Sequence, residues 1–191
     1  MPQQILLLRH GETEWSRDGK HTSTTDVALT EAGLAEAMAL RHVAARWTLA
    51  LVVVSPMARA RDTARLAGLD DQRVEVSGDL REWDYGEYEG RTTADIRATR
   101  PGWSVWTDGA PGGESPADVA ARTDRVIARC RAADGDVCLV AHAHVLRVLA
   151  ARWIGLDASD GARLRLDTGT WSVLGYEREA PVVLRWNVPA S

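Results

Sequence analysis

Three short, continuous apolar runs constrain the fold of this chain more than any other feature. They cover residues 5–8, 50–55 and 136–142 and read ILLL, ALVVVS and DVCLVAH. Runs of this length without polar alternation are typical of strands that are buried on both faces. Helical patterns separate the three runs, and this alternation predicts a parallel sheet covered by helices on both faces.

The helical patterns begin at residues that favour helix starts. Thr30 caps a predicted helix that runs to about residue 47. Ser55 and Pro56 supply a cap and a first helical proline for a helix to about residue 67. Ser115 and Pro116, with an acid three residues after the serine, predict a capping box and a helix to about residue 133.

The C-terminal part has a different pattern. Residues 170–177 and 181–187 are typical of a hairpin that adds an antiparallel strand to one edge of the sheet. Residues 78–113 form the longest predicted irregular region, and their Trp, Tyr and acidic content indicates a functional loop rather than a linker. We therefore expect one α/β domain over residues 1–191, a three-layer α/β/α sandwich with a mostly parallel central sheet and an antiparallel edge strand.

Composition excludes several classes of function. The net charge is −4 and no block of Lys and Arg occurs, so no nucleic-acid partner is expected. No apolar run approaches the roughly 18 residues that cross a bilayer, and no secretion signal is recognised, so no membrane partner is expected. Cys130 and Cys138 lack metal-ligand spacing, which favours two reduced thiols in a cytoplasmic protein without a metal or another cofactor.

Each apolar run ends in residues that carry chemistry. Arg9 and His10 follow the first run, Ser55 leads to Arg59 after the second, and His142 ends the third. Because the carboxyl ends of parallel strands meet at one edge of a sheet, these groups are expected to converge. Guanidinium groups, imidazoles and helix N-termini suit a phosphate group. A neutral imidazole there is also a competent nucleophile, and His10 is the better placed of the two.

The chain resembles a known family in four motifs. They read LLLRHGETEW, SPMARARDTA, LREWDYGEYEG and LVAHAHVLR and occur in that order. Together they resemble the histidine phosphatase superfamily, the phosphoglycerate-mutase-like enzymes. Within it, the stretches WSVWTDG, GGES and LDTGTWSVLGYE are most similar to the branch of sedoheptulose-1,7-bisphosphatase and actinobacterial acid phosphatases.

The resemblance implies a set of roles. His10 would be the phosphorylated nucleophile and Glu82 the general acid and base. Arg9, Arg59 and His142 would bind the transferring phosphoryl group. A carboxyl that acts as an acid near neutral pH needs a raised pKa. Burial beside Trp83 and Tyr85 would raise the pKa of Glu82 and an inward Arg81 would lower it, so both signs stay open.

The chain departs from the family at two places. Ser16, Lys20, Thr22 and Ser23 stand at pocket-rim positions where the family usually has Asn, Arg, Gln and Gly, a pattern typical of sugar phosphatases rather than mutases. Thr22 is expected to offer its hydroxyl to a phosphate oxygen. Ala143 replaces the glycine that normally follows the second histidine. Either the backbone there is ordinary helix and tolerates the methyl group, or the methyl group crowds the site and retunes its activity.

Further residues are assigned to the substrate pocket by their positions. His144 is expected to donate a hydrogen bond within the pocket or to pack under it, and Tyr85 to form a wall. Arg147 would face the far end of the substrate or solvent. Trp103 and Trp106 would line the pocket or fill the core. His21 and His42 are expected to be ordinary surface or core residues.

The leading hypothesis is a metal-independent phosphomonoesterase that hydrolyses a small phosphorylated metabolite, a sugar phosphate, through phospho-His10. The alternatives are a phosphoglycerate-type mutase and a phosphate-binding homologue with weak turnover. The exposed hairpin edge at residues 182–186 predicts a homodimer.

Overall fold

The computed structural model describes residues 2–69 and 74–190, and its centre is a six-stranded sheet. The strands are β1 (Ile5–Arg9), β2 (Leu49–Val54), β3 (Val74–Val76), β4 (Asp136–Ala141), β5 (Thr170–Glu177) and β6 (Ala180–Pro189), in the order β3-β2-β4-β1-β5-β6. β1, β4, β2 and β3 pair in parallel, whereas β5 is antiparallel to β1 and β6 is antiparallel to β5. The predicted mostly parallel sheet is confirmed.

Eight α-helices lie in the described part of the chain. They are α1 (Glu14–Arg17), α2 (Glu31–Ala39), α3 (Arg41–Ala44), α4 (Ala58–Leu66), α5 (Thr93–Thr99), α6 (Val105–Asp108), α7 (Pro116–Arg131) and α8 (Ala143–Trp153). Three-residue and six-residue 3-10 helices cover Gly78–Leu80, Gly86–Tyr88 and Ala158–Arg163. The predicted caps Thr30 and Ser115 are confirmed, the second as a capping box with Pro116 in the first turn.

Alternate residues of β1 build two separate cores because successive side chains of a strand point to opposite faces. Ile5 and Leu7 pack in a cluster with buried residues of α7 and α8. Leu6 and Leu8 pack in a second cluster, with residues of α2, α3 and α4. Every one of these four side chains is at most 1% exposed. The result is the predicted three-layer α/β/α sandwich.

Three local predictions are corrected by the structure. The helix predicted from Thr30 to residue 47 is two helices, α2 and α3, joined at Leu40. Ser55 does not cap α4, which begins at Ala58 after Met57, because the Ser55 hydroxyl bonds the ring of His142 instead. The hairpin adds two strands rather than one, so that antiparallel β5 lies inside the sheet and β6 forms its edge.

The region predicted to be irregular, residues 78–113, contains ordered helices around an aromatic core of its own. The 3-10 helices at Gly78–Leu80 and Gly86–Tyr88 and the helices α5 and α6 fall within it. Trp83, Tyr85 and Trp103 are each at most 1% exposed and belong to one cluster. This segment therefore forms a rigid side wall beside the carboxyl edge of the sheet.

The outer surfaces leave two predictions open. Residues 182–186 lie in the edge strand β6, so pairing of two copies along this edge stays a prediction. No helix in residues 2–69 or 74–190 combines the length and apolar character needed to cross a membrane.

Candidate active site

The three strand ends that carry chemistry meet, as predicted, because β1, β4 and β2 are parallel neighbours. The His10 amide donates to the carbonyl of Ala141 (3.0 Å), and the Ser55 amide donates to Val140 (3.0 Å). These bonds extend the ladders past the strands. The rings of His10 and His142 lie 5.0 Å apart, centre to centre, in an edge-on arrangement.

A cavity of about 230 Å³ opens at this edge of the sheet. Its lining includes most of the residues assigned to the site from the sequence and several that were not. It consists of Arg9, His10, Thr13, Ser16, Gly19, Lys20, His21, Thr22, Glu82, Tyr85, Thr93, Ala143 and His144. The other four assigned residues, Arg59, His142, Ser23 and Arg147, lie outside this lining.

His10 presents one free ring nitrogen. Its Nδ1 lies 2.7 Å from the carbonyl oxygen of Gly11, which only accepts, so Nδ1 carries the proton and donates it. Nε2 therefore keeps its lone pair. Burial, followed by the positive charges of Arg9 and Arg59, lowers the pKa of His10 to about 3. The imidazole is neutral near neutral pH, as a nucleophile must be.

Gly11, which follows the first strand, is required by a close backbone contact rather than by a turn. Its φ angle is not in the left-handed region. A Cβ atom on Gly11 would overlap the backbone carbonyl oxygen of Gly33 in α2, and one on Gly33 would overlap the carbonyl of Glu12. Close backbone contact, rather than turning, requires these glycines.

Arg9 lines the cavity and has one buried side-chain donor without a partner in the described part of the chain. One terminal nitrogen donates to the carbonyl of Leu166 (2.6 Å). Among the described residues, its Nε is the buried side-chain polar atom that has no hydrogen-bond partner. A buried unpaired donor is costly, and it favours an anion that enters the cavity.

His142 and Arg59 form a layer behind the cavity. The Arg59 Nε donates to His142 Nδ1 (3.2 Å), so His142 Nε2 carries the ring proton and donates to Ser55 Oγ (2.7 Å). Burial, followed by Arg59 and His10, lowers the pKa of His142 well below its usual value. Both ring nitrogens of His142 are engaged, so its assigned phosphate contact requires a change of partner.

Arg59 also holds the loop that forms one side of the site. Its terminal nitrogens donate to the carbonyls of Thr25 (3.0 Å), Thr22 (3.2 Å) and Ser23 (3.2 Å). From the other side, the Glu89 carboxylate accepts from the amides of Ser23 and Thr25 and from the Ser23 hydroxyl. Ser23 thus anchors the loop, and the Thr22 hydroxyl donates to the Lys20 carbonyl (3.0 Å).

Glu82 reaches the N-terminus of α8. Its Oε1 accepts from the amides of Trp83 and Val145, and its Oε2 accepts from the amide of His144, each at 2.9 Å. Burial raises the pKa of Glu82, but the hydrogen bonds that it accepts from His144 outweigh this effect and hold the pKa well below 4.5. The sign left open by the sequence is settled: the resting carboxyl is ionised.

The backbone around Glu82 is fixed by one buried arginine of α7. Arg122 donates to the carbonyls of Asp79 (2.8 Å), Arg81 (2.7 Å) and Glu82 (3.2 Å). Its guanidinium also pairs with the carboxylate of Glu114 at 2.7 Å. A buried, fully engaged guanidinium of this kind keeps the Glu82 carboxyl in register with α8.

His144 and Ala143 start α8 at the cavity wall. The Tyr85 Oη lies 2.7 Å from His144 Nδ1, and this nitrogen is 3.7 Å from Glu82 Oε2. Burial raises the pKa of Tyr85 well above 10, so its hydroxyl stays protonated. Ala143 is the first residue of the helix and has no positive φ, which matches the reading of an ordinary helical backbone.

Arg147 points away from the cavity. Its nitrogens donate to the carbonyls of Gly161 and Ala162 (3.0 Å each), and its guanidinium lies 4.3 Å from the ring centre of Trp106. Trp103 fills the core, and Trp106 packs between Trp83 and His144 rather than lining the cavity.

Sequence reasoning placed Lys20 at the pocket rim but missed four cavity residues: Thr13, Gly19, His21 and Thr93. His21 was expected to be an ordinary core or surface residue, but it lines the cavity 4.5 Å from the ring of Tyr85. The available signal was its place in the loop after α1, next to rim positions already singled out. Thr93 gave no signal, since the bridge between Lys20 and Thr92 and the contact of its hydroxyl with His21 Nε2 (3.3 Å) bring it near.

Three buried neutral imidazoles make the fold sensitive to acid. Burial lowers the pKa of His10 to about 3 and of His21 to about 4, and that of His142 also lies well below 6.5. Between pH 6.5 and 4.5 the unfolded chain binds protons that the folded chain does not. As the pH is lowered through this range, the free energy of unfolding should therefore decrease by up to about 1.4 kcal/mol per pH unit for each group.

The change His21→Asn tests this pH dependence. It removes one of the three groups, so its unfolding free energy should vary less steeply with pH than that of the wild type, by about one proton. Urea unfolding at several pH values measures both slopes. His42→Asn, on the exposed side of α3, is the matched control. Equal slopes in the wild type and in His21→Asn would contradict the assignment.

Comparison with known proteins gives one consistent result. The family model of the histidine phosphatase superfamily (branch 1) matches residues 5–189. An acid phosphatase of Mycobacterium tuberculosis is 43% identical, over 91% of this chain and 87% of its own length. A sedoheptulose 1,7-bisphosphatase of Saccharomyces cerevisiae is 35% identical, over 80% of this chain and 68% of its own length.

Solved structures agree with these relatives. One from an open reading frame of Mycobacterium tuberculosis is 39% identical, has a TM-score of 0.94 and covers 99% of both chains. A mycobacterial glucosyl-3-phosphoglycerate phosphatase in complex with VO₃ is 30% identical, has a TM-score of 0.87 and covers 97% of this chain and 99% of its own.

Proposed function

The chain belongs to branch 1 of the histidine phosphatase superfamily, and from this membership we propose that it hydrolyses a small, sugar-like phosphate monoester through phospho-His10. The phosphatase names of its relatives support hydrolysis as the outcome. One observation supports the mechanism most strongly. The lone pair of His10 Nε2 and the unpartnered Nε of Arg9 belong to neighbouring residues that line the same cavity.

The first step forms a phosphorus–nitrogen bond. His10 Nε2 attacks the phosphorus atom, and the bond from phosphorus to the ester oxygen breaks. Arg9 neutralises the charge on the phosphoryl oxygens, which is the main requirement of phosphoryl transfer. The leaving oxygen takes a proton from Glu82 and departs as an alcohol.

The second step regenerates the enzyme. Glu82, now a carboxylate, takes a proton from water, and the water oxygen attacks the phosphorus of phospho-His10. The phosphorus–nitrogen bond breaks, and inorganic phosphate leaves. His10 Nδ1 keeps its proton throughout and donates it in a hydrogen bond to the Gly11 carbonyl, so Nε2 recovers its lone pair.

Glu82 must gain a proton before the first step, because its resting pKa is low. A phosphate ester brings negative charge to the cavity, and a nearby negative charge raises the pKa of a carboxyl. A monoanionic ester also brings a proton of its own. Glu82 therefore becomes protonated only when substrate is bound, with the proton coming from solvent or from the ester.

No metal ion takes part in the proposed reaction. Two guanidinium groups supply the positive charge that a metal would otherwise provide, Arg9 within the cavity and Arg59 behind it. The described residues contain no group of three or more His, Cys, Asp or Glu arranged to hold a metal ion.

The test measures phosphate release from a panel of phosphorylated sugars, sugar acids and polyols, without any bisphosphorylated cofactor and with a chelator present. We expect steady release of inorganic phosphate, at the highest kcat/KM for a sugar-like ester. Transfer of phosphate between substrate positions without net release would support a mutase instead. Tight phosphate binding without turnover on any ester would support a binding protein.

A further inference from the structure

The cavity contains a second cation, Lys20, that the proposed reaction does not use. It is the one lysine of the chain, which has 22 arginines. Its side chain is 38% exposed, whereas the Arg9 Nε is buried. Lys20 therefore lies at the open side of the cavity.

We propose that Lys20 binds a second anionic group of the substrate, so that the preferred ester carries another phosphate or a carboxylate. This inference rests on the proposed function, because it places the ester phosphate at Arg9 and His10. It assigns the other end of the cavity to a charge on the same small molecule.

The backbone at Lys20 is fixed while its ammonium group is not. The Lys20 amide donates to the Trp15 carbonyl (2.9 Å), and the residue forms an antiparallel bridge with Thr92. The ammonium lies 6.0 Å from the ring centre of Trp15. A fixed Cα with a flexible four-carbon stem suits a group that must reach a ligand at the opening.

The hydroxyls beside Lys20 have no hydrogen left for an anion. Ser16 Oγ donates to the Thr13 carbonyl (2.9 Å), and Thr22 Oγ1 donates to the Lys20 carbonyl (3.0 Å). These hydroxyls then present lone pairs, which repel phosphate and carboxylate oxygens. The ammonium of Lys20 is the strong donor that remains there.

The ion pairing of Lys20 is weak. Within the described residues, its one ion pair within 4 Å is with Asp18 at 3.7 Å, and both side chains are about 40% exposed. Exposed pairs contribute little and are screened by salt. Arg59 and Arg147 do not compete for the second anion, since backbone carbonyls accept their N–H groups and neither lines the cavity.

The test compares esters that differ by one anionic group. The pairs are fructose 1,6-bisphosphate with fructose 6-phosphate, and 3-phosphoglycerate with glycerol 3-phosphate. In the wild type, kcat/KM should be about tenfold higher for the ester with two anionic groups in at least one pair, as for a charge-assisted contact. The pair that shows the preference identifies the second group as phosphate or carboxylate.

Lys20→Met should bring that ratio to within about twofold of one, while Lys20→Arg keeps it. Arg17→Met is the matched control, because it removes a neighbouring positive charge of α1 that does not line the cavity. The proposal is overturned if the wild type shows no preference in either pair, or if Lys20→Met and Arg17→Met have the same effect. Hydrolysis of p-nitrophenyl phosphate by all variants tests the proposed function separately.

A second measurement needs no variant. Pyridoxal 5′-phosphate condenses with an amine to an imine and water, and borohydride reduces the imine. Because the chain has one lysine, peptide mapping should find this label at Lys20, apart from any at the N-terminus. The ester with two anionic groups should slow labelling at Lys20 at concentrations where the matched ester with one anionic group does not. Equal protection by the two would refute the second anion contact even if the chain hydrolysed no ester.

Discussion

Replacing His10 with alanine is expected to abolish turnover, with kcat falling by at least about 10⁴-fold on every phosphate ester, as for loss of a catalytic nucleophile. The physical reason is the loss of Nε2, whose lone pair the Nδ1 bond to Gly11 leaves available for the proposed attack on phosphorus. The wild type, quenched in base after mixing with a ³²P-labelled ester, should retain base-stable, acid-labile label. His10→Ala should retain none.

The control for this change is His42→Ala. It removes another imidazole, on the exposed side of α3, and should leave both turnover and phosphoenzyme unchanged. The thermal transition of His10→Ala should stay cooperative, since the variant removes a buried neutral imidazole and adds no charged group. Residual hydrolysis near the wild-type rate, or label elsewhere than His10, would refute the proposed mechanism.

Replacing Glu82 with glutamine should lower kcat by about 10²- to 10⁴-fold on alkyl esters, as for loss of a general acid and base. The change leaves the volume of the side chain almost unaltered. An inhibition constant measured with inorganic phosphate should change much less than kcat. Esters with a good leaving group, such as p-nitrophenyl phosphate, should lose less of their burst rate, because their leaving oxygen needs no proton.

Stability must be separated from chemistry in this variant. The amide nitrogen of glutamine would face the backbone N–H of His144 or Val145, donor against donor, where a carboxylate oxygen now accepts. The free energy of unfolding should therefore fall by about 1–3 kcal/mol. Glu87→Gln, exposed on the same segment, is the matched control. Equal losses of kcat and phosphate affinity would assign Glu82 a structural role.

The parallel sheet and the meeting of its strand ends were predictable because they depend on local patterns. Residues 5–8 of β1, 52–54 of β2 and 137–141 of β4 are apolar and buried, as continuous apolar runs predict, and a parallel sheet brings the strand ends together. The caps Thr30 and Ser115 act through neighbours three residues away, and both were found.

Contacts between distant segments explain what the sequence did not predict. Ser55 has the pattern of a helix cap, yet its hydroxyl oxygen accepts a hydrogen bond from His142, which lies 87 residues away in the chain. The pKa of Glu82 depends on the amides at the start of α8, which lie more than 60 residues along the chain. The cavity position of His21 and Thr93 results from loop packing, which no periodicity records.

The mutual fit of Gly11 and Gly33 couples the evolution of two distant segments. Gly11 contributes only its backbone carbonyl to His10, and Gly33, which lies in α2, takes no part in the proposed chemistry. A methyl group at Gly11 would displace the backbone of Gly33, and one at Gly33 would displace the backbone of Glu12, so a substitution at either glycine should destabilise this contact. Homologous chains that keep a histidine at the position of His10 should therefore retain both glycines, and a change at one should appear with a shortened or shifted α2.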